Sequence, residues 1–101
     1  MANRSKQKGD RFERSAVEVL NSHGLDAKRV PLSGSVAGFK GDIHFKEQGI
    51  PKVLECKSRK SGFKTLRTML GDSDRLLVKD DRTEPLMVMR FSDYCILASY
   101  R

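Results

Sequence analysis

Residues 9–23 carry apolar side chains at helical spacing. At about 100° per residue, Phe12, Ala16, Val17, Val19 and Leu20 fall on one stripe, with Arg11, Arg14, Glu18 and Asn21 off it. The pattern predicts an amphipathic helix, and Gly24 is placed to end it. The rhythm then changes. Residues 27–30 make a short strand candidate, and 31–40, with Ser33-Gly34-Ser35 and Gly38, read as a loop. Residues 42–45 alternate polar and apolar as a half-buried strand does, 48–51 form a turn, and 53–57 make the next strand. The stretch 42–57 is therefore expected to be a hairpin.

Residues 58–64 are a basic loop, and 65–70 a short helix with Leu66, Met69 and Leu70 inward and Gly71 at its end. Two continuous apolar runs, 75–79 and 85–89, read as buried strands joined by the polar turn 80–84. The tail, 91–100, is apolar and aromatic and predicts a short helix or a subunit contact. Helix, strands, helix and strands in this order predict a small α/β fold on a mixed sheet. Residues 1–8 hold Arg4, Lys6 and Lys8 with no large apolar side chain after Met1, which predicts a flexible basic arm ahead of a single domain over 9–101.

Composition narrows the classes. At 101 residues the chain has room for one modest core and none for a separate cofactor domain. Two cysteines, Cys56 and Cys95, cannot staple a disulfide scaffold, and no Cys/His cluster suggests zinc. No apolar run reaches the ~18 residues of a membrane span. No charged-then-apolar leader opens the sequence, so a cytoplasmic protein in a reducing compartment is expected.

Charge adds a direction. The net charge is +7, and residues 1–67 hold 15 basic against 7 acidic side chains, while residues 68–101 hold 5 against 6. A basic surface confined to part of a chain favours a polyanion, with nucleic acid first and anionic membrane second.

Three acids stand where simple packing would not place them. Glu13 lies between Leu20 and Val17 on the helical stripe, facing a core or cleft. An ionised carboxylate there is costly without a partner. Glu55 sits in a strand on the face of Val53 and Lys57, opposite Leu54 and Cys56. Asp42 opens the preceding strand, so a 42–57 hairpin can bring it to Glu55 at one end of the sheet. Carboxylates held close repel, and the usual remedy is a hard divalent cation such as Mg²⁺, which takes oxygen ligands and keeps several waters. Lys57 beside Glu55 can orient a water or offset charge on phosphorus. The combination suits phosphodiester hydrolysis.

Gly41-Asp42 followed by Glu55-Cys56-Lys57 resembles the PD-(D/E)xK nuclease signature, with Gly41 where proline is usual. Asp42 stands for the first acid, Glu55 for the second, and Lys57 for the lysine. Glu13 within Lys8-Gly9-Asp10-Arg11-Phe12-Glu13-Arg14 is similar to the helical glutamate of the archaeal-type Holliday junction resolvase family. Ser33, after Arg29, resembles that branch's functional serine. The resemblance covers about residues 8–60. It implies a restriction-endonuclease-like α/β core, a central mixed sheet flanked by helices, and Mg²⁺ dependence with Mn²⁺ able to substitute. It also implies cuts that leave a 5′-phosphate, and a homodimer acting on four-way DNA junctions. It makes Glu13, Asp42, Glu55 and the Cys56 carbonyl the metal ligands, with Lys57 and Ser33 as catalytic groups.

Arg29, Lys40, Arg59, Lys60, Lys64 and Arg67 are the candidate DNA contacts. They would grip phosphates without reading bases. Other readings stay open: the same superfamily acting on flaps or duplex, and a non-catalytic nucleic-acid-binding module. The second explains the charge but not the inward-facing Glu13.

Overall fold

The computed structural model describes residues 4–30 and 42–100. These form two compact units, one running through Ser58 and taking up the chain again from Cys95, the other Arg59–Tyr94.

The larger unit begins with helix α1, Arg4–Ser22, so residues 4–8, expected in a basic arm, form its first turns. Its buried side chains are Glu13, Ala16 and Leu20, one helical face, while Phe12 and Val19 lie at the exposed margins of the predicted stripe. The exit follows the Schellman pattern. Leu25 N donates to Leu20 O at 3.1 Å and Gly24 N to Asn21 O at 3.0 Å. Gly24 takes the left-handed φ of 75° that this turn requires. The Asn21 amide then clasps Ala27, its Nδ2 donating to the Ala27 carbonyl at 3.0 Å and its Oδ1 accepting from the Ala27 N–H at 2.6 Å.

Strands β1 (Lys28–Arg29), β2 (Ile43–Glu47) and β3 (Ile50–Leu54) form an antiparallel sheet in that order. Ile43 pairs with Leu54 and Glu47 with Ile50. The hairpin turn is only Gln48-Gly49, with φ of 50° and 83°, the geometry of a two-residue type I′ connection. The expected turn over 48–51 is therefore shorter, and the strand expected over 53–57 lies earlier. Pro51 is accommodated because β3 is the edge strand. Ile43 and Phe45 face inward and are buried with Ala16, Leu20, Leu25, Ala27, Val30, Cys95 and Ala98.

The smaller unit holds α2 (Lys64–Leu70) and the antiparallel hairpin β4 (Leu76–Val78) and β5 (Leu86–Val88). Helix α3, Phe91–Ser99, begins in this unit and ends in the larger one. The hairpin corrects two expectations. Leu77, Leu86 and Met87 are exposed rather than buried, and Leu70 is the one buried apolar residue of this unit. Among the described residues, the strands form two antiparallel sheets and not one mixed sheet. Short turns join β2 to β3 and β4 to β5, and chain reversals of that length pair strands antiparallel. Among the described residues no helix is long and apolar enough to cross a membrane.

Candidate active site

The site is built at the end of the β2–β3 hairpin. Asp42 lies one residue before β2, and its backbone continues the ladder, with Val30 N donating to Asp42 O at 2.9 Å and Asp42 N to Leu54 O at 3.0 Å. This fixes the Asp42 side chain beside the chain leaving β3. There the Cys56 N–H donates to Asp42 Oδ2 at 2.7 Å, a charge-assisted bond that orients the carboxylate.

Glu55, Cys56 and Lys57 follow β3 rather than lying within it. The two-residue alternation nevertheless persists, with Glu55 and Lys57 exposed and Cys56 half-buried. The Lys57 ammonium sits 3.4 Å from Glu55 Oε1. Glu55 and Lys57 thus share the outward side, as the sequence spacing implies.

Glu13 reaches the same region from α1. It is 7% exposed, the one buried acid among the described residues. Its Oε1 accepts from Arg29 Nε at 3.2 Å, and the same guanidinium donates through Nη2 to Asp10 Oδ1 at 3.0 Å. Arg29, expected on DNA phosphate, is here bound to two carboxylates of α1. Asp10 is a site neighbour that the sequence reading passed over. Its three-residue spacing from Glu13 puts both on one side of a helix, and that was the available signal.

The Cys56 thiol reports how the acids converge. Its pKa is pushed up to about 11, first by burial and then by the negative charges of Asp42, Glu13 and Glu55. All three predicted acids therefore act on the half-buried Cys56 thiol. Their separation is wider than a closed metal cage. Among the described residues no three His, Cys, Asp or Glu side chains are gathered closely enough to hold an ion by themselves. The oxygen donor set still suits a hard cation, because Mg²⁺ is typically held by one or two carboxylates and completes its shell with waters and substrate phosphate.

Ser33 and Lys40 lie outside the described residues. Arg59, Lys60, Lys64 and Arg67 belong to the smaller unit and are exposed.

A family model described as "Phage putative PDDEXK endonuclease" matches residues 4–79. The chain belongs to this family. The match runs from the first turn of α1 through β4 and includes Glu13, Asp42, Glu55 and Lys57. It places the chain in the PD-(D/E)xK superfamily, among nucleases. No curated protein and no solved structure matches the chain.

Proposed function

We propose that this family member is a Mg²⁺-dependent DNA endonuclease whose site is Glu13, Asp42, Glu55 and Lys57. The observation that carries the reading is the geometry where the chain leaves β3, with the Asp42 carboxylate bound by the Cys56 N–H and the Lys57 ammonium beside Glu55. Asp42 and Glu55, with Glu13 and the Cys56 carbonyl, would hold the cation. When bound, Mg²⁺ or Mn²⁺ supplies Lewis-acid stabilisation of charge on the scissile phosphate and polarises the attacking water.

The chain's own residues do the remaining work. The Cys56 N–H holds Asp42 in one orientation, so little reorganisation is needed when substrate arrives. Glu55 holds the Lys57 ammonium at the outward face, where it can donate to the attacking water or to a non-bridging phosphate oxygen. Arg29 balances the buried charge of Glu13 and ties α1 to β1. Arg59, Lys60, Lys64 and Arg67 supply positive charge for the phosphate backbone, and Ser33 and Lys40 remain candidates in the segment between β1 and Asp42.

A finer reading, four-way junction resolution by a homodimer, rests on the buried Glu13 within its helix and the resemblance that it carries. Cleavage of a labelled four-way junction, a flap and a plain duplex, each with Mg²⁺, Mn²⁺ or EDTA, tests both levels. Cutting with either metal, none in EDTA and 5′-phosphate ends are expected, and a junction preferred over its duplex arms supports resolution. Binding without cutting under every metal condition would instead indicate a non-catalytic module.

A further inference from the structure

The smaller unit contains a groove of about 330 Å³ that the metal site does not use. Phe63 precedes α2 and Phe91 opens α3, and both rings line it with Leu66, Leu70 and Val88. Phe63 and Phe91 are 38% and 36% exposed, so each presents part of its ring to solvent. Arg90 fixes the walls. Its guanidinium donates to the Gly71 carbonyl at 2.8 Å and the Ser73 carbonyl at 3.1 Å, holding the end of α2 to the start of α3.

The groove is apolar in its lining and basic at its margin. Arg67 lines it, and the Arg59 guanidinium lies 5.5 Å from the centre of the Phe63 ring. No acidic residue stands between Glu55 and Asp72, whereas Arg59, Lys60, Lys64 and Arg67 do. Among the described residues none of these four cations is paired with a carboxylate.

We propose that this groove receives an unstacked base of single-stranded DNA, with the flanking phosphates on Arg59, Lys60, Lys64 and Arg67. The inference rests on the nuclease reading and names the substrate feature that the site would select. Aromatic side chains beside unpaired cations are how proteins hold single strands without reading sequence, since every base has a face to stack. Duplex DNA offers the phosphates but keeps its bases stacked away from the groove. Flaps, gapped strands and opened junctions all expose such a base.

The test is affinity for a fluorescent dT oligonucleotide and for a blunt duplex of the same length, measured in EDTA so that nothing is cut. The dT strand is expected to bind more tightly. Phe63→Ala should weaken it by about fivefold to a hundredfold, with duplex affinity unchanged. Phe63→Trp keeps a stacking ring and introduces the single tryptophan of a chain that has none. It should retain affinity, and its emission should be quenched by dT but not by duplex. This second variant covers the case in which Phe63→Ala fails to fold.

Equal loss for strand and duplex, or emission unmoved by dT, overturns the proposal. So does emission that follows protein concentration instead of DNA, which would mean that a second copy of the chain covers the groove. Cleavage by the native chain under Mg²⁺ is a separate arm. Its absence alongside base binding defeats only the nuclease reading, and its presence without base binding defeats only the groove.

Discussion

Glu13 occupies a core position on α1 and is stabilised there through Arg29, which also reaches Asp10. Removing the guanidinium leaves a buried carboxylate short of a charged donor. Arg29→Ala is expected to cost about 1–3 kcal/mol in chemical denaturation. Adding Glu13→Gln should recover part of that loss, and simple additivity of the two changes would contradict the coupling. Cys56 makes a second prediction. With a pKa near 11 it stays protonated at pH 8, so iodoacetamide should modify it slowly in the folded protein and quickly in urea. A thiol whose folded pKa is raised contributes stability that is fully present below its unfolded value of 9.0 and lost as pH rises toward 11. Denaturation midpoints between pH 8 and pH 11 should fall for the native chain and fall less for Cys56→Ala.

The elements were partly legible in the sequence. The stripe of Ala16 and Leu20, with Glu13 inside it, shows in the helical spacing, and alternation exposed the hairpin that carries Asp42 to Glu55. What was not legible was set by side chains acting on backbone. Asn21 clasps Ala27 through two hydrogen bonds, and nothing in its local spacing announces that. The length of the turn decided where β3 falls, because Gly49 lets two residues close it and draws Ile50 and Pro51 into the strand. The runs 75–79 and 85–89 promised burial because apolar runs normally find cover, and this small unit leaves more than half of Leu77, Leu86 and Met87 exposed. At this scale Gly24→Ala is expected to destabilise by about 1–2 kcal/mol, measured by thermal or urea unfolding, since the helix exit needs a left-handed φ. An unchanged midpoint would show that the exit can be rebuilt another way.

Across the whole molecule, the candidate site and the basic run fall in different units. The acids that would hold a cation lie in the larger unit, while Arg59, Lys60, Lys64 and Arg67 form an unpaired basic run in the smaller one. Net charge alone suggested a polyanion, and Arg59, Lys60, Lys64 and Arg67 carry part of that excess. If Lys60, Lys64 and Arg67 each neutralise a phosphate, replacing all three with alanine should reduce the salt dependence of duplex binding by about 0.9 per contact in log–log slope. A slope that does not change would remove them from the DNA-facing surface. The central claim is that the carboxylates around Cys56 perform metal-dependent scission, and Asp42→Asn tests it most directly. Cleavage of labelled DNA under Mg²⁺, measured beside binding in EDTA, should show activity abolished with affinity retained. Undiminished cleavage by Asp42→Asn would contradict the account.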